Sequence, residues 1–129
     1  MIKEYPKNQN IILSPNFLSS EFDCKCSYQD CNITYIDTDL IDKLQSKRND
    51  WARSIHITSG FRCVKHNKDQ GGKPGSFHLI GKAADIVVQG INPPEVANKC
   101  EDFDGLGRYP NFTHVDVRSY KSRWVGKAK

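Results

Sequence analysis

The chain has 129 residues and carries a net charge of +4, enough length for one hydrophobic core and not for two. Hydrophobic residues at 37%, charged residues at 26% and a mean hydropathy of −0.64 exclude a disordered chain. No stretch nears the roughly 20 apolar residues of a membrane helix, and the scattered basic residues do not describe a nucleic-acid surface. A single domain over residues 1–129 is expected, acting as a monomer. The N-terminal stretch holds one short apolar triplet, Ile11-Ile12-Leu13, and no small-residue cleavage site, so no secretory signal is read and synthesis in the cytoplasm is expected.

In chain order, residues 1–20 read as an extended arm, followed by a short helical turn at Ser19-Ser20-Glu21-Phe22 and a cysteine-bearing loop. Asp37 to about Trp51 reads as the main helix. Asp37 caps it, Leu40, Ile41, Leu44 and Trp51 share one stripe, and the stem of Lys47 covers the stripe's edge. Ile55–Ser59 reads as a strand and Lys68–Ser76 as a glycine-rich loop. Ala83–Val88 is a buried strand ended by Gly90. A second helix runs from Asn92-Pro93-Pro94-Glu95 to about Asp102. Gly105–Arg108 and Thr113–Val117 are two further short strands. The connections are too short for repeated parallel crossovers, so the fold class is α+β, with a small, mainly antiparallel sheet flanked by helices. The end of the chain, with Lys121, Arg123, Lys127 and Lys129, reads as a basic tail, either a solvated charged end or a contact for an anionic envelope polymer.

Five cysteines, Cys24, Cys26, Cys31, Cys63 and Cys100, form an odd set without a signal sequence, which points to a reducing compartment. Cys24-x-Cys26-x4-Cys31 resembles half a zinc knuckle but lacks the usual C-x2-C spacing. Free or buried thiols are the default reading; a structural ion completed by Cys63 is the alternative.

Two segments carry chemistry. Along the strand from Ala83, Asp85 shares a face with Ala83 and Val87, while Ala84, Ile86 and Val88 point the other way. A carboxylate on such a strand is costly to bury without a partner. His78 lies seven residues earlier, beyond Gly81, which can turn the chain so that the two side chains converge. On the later strand His114, Asp116 and Arg118 share one face and Val115 and Val117 the other. Two imidazoles and a carboxylate suit a catalytic zinc, since they leave the fourth tetrahedral position to water. His78, Asp85 and His114 could supply that set.

Ser59-Gly60-Phe61-Arg62, His66-Asn67, Gly71-Gly72, Ser76-x-His78-x6-Asp85 and His114-Val115-Asp116-Val117-Arg118 form an ordered set. Together they resemble the zinc D-Ala-D-Ala carboxypeptidases and related murein peptidases, particularly the small members found in phages and bacteria. The resemblance runs from about Leu13 to Trp124. It implies the zinc fold that hedgehog signalling domains share, and with it one zinc ion on His78, Asp85 and His114. Arg62 would hold a free carboxylate of a peptidoglycan stem peptide, with a clamp on the neighbouring loop as the alternative. Asn67 and Ser76 would bind substrate or order their loop, and Tyr109 would donate to a developing oxyanion or pack at a turn.

Relatives place an acidic residue three positions before the last histidine ligand, where this chain has Asn111. Asp116 is the nearest substitute as general base; orienting a ligand or pairing with Arg118 are its other roles. Asp102 and Asp104 are more distant candidates. The implied activity is hydrolysis of a peptide bond in peptidoglycan stem peptides, by a carboxypeptidase or an endopeptidase. A small chain without a signal also suits a phage-encoded enzyme that reaches the wall by another route. The competing function is a non-catalytic zinc-fold module, envelope-binding or structural, in which the ion serves stability; Asn111 favours it.

Overall fold

A computed structural model describes residues 1–127, so Lys129 of the basic tail lies outside the described residues. The chain order is β1 (Ile2–Pro6), β2 (Ile12–Ser14), β3 (Phe17–Leu18), a 3-10 turn (Ser19–Phe22), β4 (Ile33–Asp37), α1 (Thr38–Trp51), β5 (Ile55–Ser59) and α2 (Val64–Asp69). A second 3-10 turn (Phe77–Ile80), β6 (Ala83–Val88), α3 (Pro93–Asn98), β7 (Gly105–Arg108), β8 (Thr113–Asp116) and β9 (Ser122–Val125) complete it. The main sheet has the order β5-β6-β8-β7-β9. It is antiparallel throughout except for β9, which runs parallel to β7 at one edge. The α+β class and the mainly antiparallel sheet are as expected from the sequence.

One face of this sheet carries the core. Ile57, Ala84, Ile86, Val88, Leu106 and Val115 meet Leu40, Ile41 and Leu44 of α1 and Val96 and Ala97 of α3. The alternation read along β6 and β8 thus holds, with the apolar set inward and Asp85, His114 and Asp116 on the opposite face. Leu44 is fully buried, and a leucine so placed contributes about 1.5–3 kcal/mol through the area it withdraws from water. Asp37 caps α1 by accepting from the Asp39 amide at 2.8 Å, and Ala52 ends the helix in the left-handed conformation. Lys47 lies over the helix edge and reaches Asp102 at 2.7 Å. Among the described residues no helix is long and apolar enough to cross a membrane.

Three local expectations are corrected. Within the extended N-terminal arm, β1 pairs antiparallel with β4 along its whole length. The sequence hides β4 because two of its inward residues are polar. Thr34 is satisfied by Asp23 at 2.5 Å, and Asp37 serves the helix that follows. The glycine-rich loop begins later, because Lys68 and Asp69 belong to α2, whose N-cap is Cys63. Helix α3 stops at Asn98 instead of reaching Asp102. Two tight turns, with the Cys100 amide on the Ala97 carbonyl and the Phe103 amide on the Cys100 carbonyl, carry the chain into β7. The basic tail contains β9, where Arg123 is held by Glu101 and by the carbonyls of Glu101 and Asp104.

A buried candidate metal centre and its cleft

The antiparallel register of β6 and β8 sets Asp85 directly opposite His114. His78 arrives from the 3-10 turn, whose N-cap Ser76 accepts from the His78 amide through its hydroxyl. Gly81 closes that turn at φ +76°, and a Cβ there would collide with the Tyr35 backbone, so only glycine fits. The three side chains are buried and their ligand atoms lie within 4.8 Å of one another.

Hydrogen bonds on the outer side of each imidazole fix which nitrogen faces inward. His78 Nδ1–H donates to the Gly60 carbonyl at 2.7 Å, which leaves the Nε2 lone pair pointing at Asp85 Oδ1, 3.3 Å away. His114 Nε2–H donates to Asp116 Oδ2 at 2.8 Å, which leaves its Nδ1 lone pair 3.1 Å from the same Oδ1. Three acceptors therefore converge with no proton assigned between them, an arrangement that calls for a cation. Donors at 2.0–2.1 Å around a tetrahedral ion stand about 3.3 Å apart, which matches these separations. The residues fit a divalent metal.

The electrostatics agree. Burial alone would push the Asp85 carboxyl up, yet the adjacent His114 and His78 imidazoles, which take up positive charge at low pH, hold it well below the usual carboxylate range. For His78 burial prevails and lowers the imidazole pKa. For His114 burial also lowers it, but the flanking Asp116 and Asp85 outweigh burial and raise it. The site thus favours positive charge between these groups.

Asp116 is not placed as the expected base. Its side chain is fully buried behind His114, accepting from His114 Nε2, from Arg118 Nη2 at 2.7 Å and Nε at 2.9 Å, and from the Arg118 amide. These partners sit on the far side of the imidazole from Asp85, and they hold the carboxyl well below its usual range although burial would raise it. Of the roles read for it, orienting a ligand and pairing with Arg118 describe its contacts. Asp102 is engaged with Lys47, Asn111 is exposed, and none of Asp102, Asp104 and Asn111 lines the cleft.

Arg62 is buried beside the centre. It donates from Nη2 to Asp85 Oδ2 at 3.2 Å, from Nε to Ser59 at 3.0 Å and from Nη1 to Asn67 at 3.4 Å. It therefore clamps its own loop, while its exposed edge still lines the cleft. Asn67 does not line the cleft. Its carbonyl accepts from Arg62 and its amide donates to the Lys73 carbonyl, so it orders the loop. Ser76 and Tyr109 do line it. The Tyr109 ring stacks on Phe112 with centroids 4.3 Å apart, and its hydroxyl accepts from Trp124 Nε1 at 3.1 Å. His56 is exposed on β5, and His66 is partly buried on α2, away from the cleft lining.

The cleft encloses about 650 Å³. Arg62, Lys73 and Arg118 give it three cationic side chains, and Asp85 is the one carboxylate in its lining among the described residues. Among the wall residues that escaped the sequence reading as site residues are Trp124 and Phe77. Trp124 packs on His114 with centroids 4.9 Å apart, and Phe77 lies under the Arg118 guanidinium at 4.4 Å. A tryptophan inside an otherwise charged terminal segment was the available signal for the first.

A buried His-Asp-His centre at the floor of a cationic cleft, on a mainly antiparallel sheet, has the form of a metallopeptidase site. The chain matches the Peptidase M15 family model over residues 15–116 and belongs to that family. It is also 33% identical, over an alignment of 79 residues, to a probable peptidoglycan L,D-endopeptidase, MepK, of Haemophilus influenzae. The match takes in 52% of this chain and 42% of that protein, so the chain spans less than half the length of this curated relative.

Proposed function

We propose that this domain is a zinc endopeptidase that hydrolyses a peptide bond within peptidoglycan peptides. The observation that carries the reading is the convergence of three lone pairs, from His78 Nε2, Asp85 Oδ1 and His114 Nδ1, at the floor of the cleft. Zinc held there would polarise a carbonyl and lower the pKa of water toward 7. The chain's own residues supply the rest. Asp116 holds His114 in the tautomer that offers Nδ1 inward, and Gly60 does the same for His78 from its carbonyl. Arg62 keeps Asp85 Oδ2 occupied, so Oδ1 alone faces the centre. The Tyr109 hydroxyl accepts from Trp124, which leaves its own O–H free to donate to an oxyanion.

The substrate class follows from charge and relationship. Arg62, Lys73 and Arg118 suit a peptide bearing carboxylates, as peptidoglycan stems do, and the curated relative is described as acting on peptidoglycan. That relative's description also favours an internal bond over a terminal D-Ala-D-Ala bond. A second reading, a zinc-holding binding module, draws on the lack of a second carboxylate in the cleft lining among the described residues.

One assay separates them. Zinc-loaded protein is incubated with cross-linked muropeptides and with a D-Ala-D-Ala-ended stem peptide, with and without chelator. Cleavage of the cross-linked species, abolished by chelator, is expected. Loss of terminal D-Ala alone would make the enzyme a carboxypeptidase. A full complement of zinc with neither substrate cut would leave the binding module.

A further inference from the structure

We propose that Cys24, Cys26, Cys31 and Cys63 hold a second zinc ion, a structural one, that ties the N-terminal loop to the segment carrying Arg62. The four sulfur atoms come from two places far apart in the chain. Three lie on the irregular segment between the first 3-10 turn and β4, and the fourth is the N-cap of α2. The four nevertheless gather with their Sγ atoms within 4.8 Å of one another.

The separations decide what the cluster is. Cys24 Sγ and Cys63 Sγ stand 3.7 Å apart, and Cys63 Sγ and Cys26 Sγ 3.8 Å. A disulfide needs about 2.05 Å. Thiolates at about 2.3 Å around a tetrahedral zinc stand about 3.8 Å from one another. Free Cys24, Cys26, Cys31 and Cys63 thus occupy the corners of a tetrathiolate site without being bonded to one another.

The surroundings are those of thiolates. The Cys63 amide points at Cys24 Sγ at 3.3 Å and the His66 amide at Cys63 Sγ at 3.4 Å. Backbone N–H groups aimed at sulfur stabilise the charged form and orient the ligands. Lys7 Nζ sits 3.6 Å from Cys26 Sγ and 3.9 Å from Cys31 Sγ while donating to the Cys26 carbonyl. Four thiolates around a divalent ion leave a net charge of −2, and an ammonium at the edge of the cluster offsets part of it. Soft sulfur donors in tetrahedral array select zinc over magnesium or calcium. The C-x-C-x4-C spacing departs from the usual knuckle because Cys63 closes the site from a different loop.

The position gives the ion a consequence. Cys63 directly follows Arg62, and α2 carries Asn67, which braces Arg62. Tyr28 on Asp69 at 2.5 Å and Lys65 on Asp30 at 3.0 Å add only exposed contacts between the loop and α2. The ion would add to the Phe61 amide on the Phe22 carbonyl at 2.9 Å and the Phe61 ring against Tyr35 in fastening the N-terminal third of the chain to the Arg62 loop.

The test uses the full chain and a His78→Ala, His114→Ala double variant, which removes two of the cleft's three ligands and keeps every cysteine. The wild type should carry two zinc ions per chain and the double variant one. Cobalt bound to the double variant should show thiolate-to-metal charge-transfer absorption. Cys26→Ser in that background should weaken the absorption and the affinity for cobalt, and Cys100→Ala should leave both unchanged. Cys24, Cys26, Cys31 and Cys63 should resist a thiol reagent until chelator is added, while the fully buried Cys100 should resist it both before and after. A double variant carrying no zinc, or cobalt absorption without sulfur character, would overturn the proposal. So would a mass showing two hydrogens lost per pair of cysteines, because the cluster would then be a redox pair.

Discussion

Asp116→Asn separates the orienting role of this side chain from a proton-transfer role. The carboxylate accepts four hydrogen bonds, one from His114 and three from Arg118, and water does not reach it. An amide has one acceptor oxygen and places an NH2 where either His114 or Arg118 expects an acceptor. Removing one partner of a buried, hydrogen-bonded ion pair costs about 3–5 kcal/mol. The lower figure applies because Arg118 keeps some water and its stacking on Phe77 and Trp124. For a domain of this size about 3 kcal/mol lowers Tm by roughly 10 °C. Losing the group that fixes a ligand's tautomer weakens metal binding by about 10–100-fold, or 1.4–2.7 kcal/mol. Calorimetry on the metal-free variant reads the first effect. Competition with a chromogenic chelator reads the second, and nitrogen-detected histidine NMR on zinc-loaded protein reads the His114 tautomer directly. An Asp116→Asn variant with wild-type Tm, wild-type zinc affinity and lost turnover would refute the positioning role and restore Asp116 as the base.

Zinc at 100 times its Kd for the His-Asp-His centre should raise stability by about 2.7 kcal/mol, seen as a Tm that climbs with free zinc and falls with chelator. In the His78→Ala, His114→Ala variant that climb should shrink to whatever the remaining ligands support. Arg62→Lys keeps the charge and loses the fork, so KM for carboxylate-bearing peptides should rise about tenfold or more in steady-state assays, with kcat less affected. At Asp37, burial would raise the carboxyl pKa, but the Lys82 ammonium at 2.8 Å, the Asp39 amide and the N-terminus together lower it. A depressed folded pKa adds stability that is complete above the unfolded value near 3.9 and disappears as pH falls through the folded one. Asp37→Asn should therefore cost about 1–2 kcal/mol at pH 7, and melts of the two proteins should converge below about pH 4.

The His78, Asp85 and His114 cluster was legible because its signal is local in each strand and periodic across them. Alternation along Ala83–Val88 and Thr113–Val117 put Asp85 on the face opposite Ala84, Ile86 and Val88, and His114 on the face opposite Val115 and Val117, before any pairing was known, and the register then set them opposite each other. The direction in which Asp116 faces was not legible. Residues two apart on a strand share a face, but which ring nitrogen a neighbouring carboxylate meets depends on a side-chain rotation that spacing does not encode. Strands β4 and β9 escaped for a related reason. Several of their buried or half-buried side chains are polar or charged, and these are satisfied by partners remote in sequence: Thr34 by Asp23, Arg123 by Glu101. The cysteine cluster defeated a spacing rule because its fourth member, Cys63, lies 32 residues beyond the third, Cys31.

The plain-looking segment Gly105-Leu106-Gly107 shows how far the site reaches into the sheet. In β7 Leu106 faces the core and is fully buried, so the two glycines face the side that holds the metal centre. The register places Gly105 beside Asp116 and Gly107 beside His114. A Cβ at Gly105 would fall on the Asp116 carboxylate, and one at Gly107 would meet the Trp124 indole at 2.6 Å. Neither glycine adopts a left-handed conformation, so space rather than backbone freedom explains them. Glycine weakens a strand by roughly 0.5–1 kcal/mol relative to alanine, and this strand carries two of them in four residues. That cost clears room for the carboxylate that orients His114 and for the indole that packs against it. β7 donates no ligand, yet its bare face lets the other strands bring theirs to a common point.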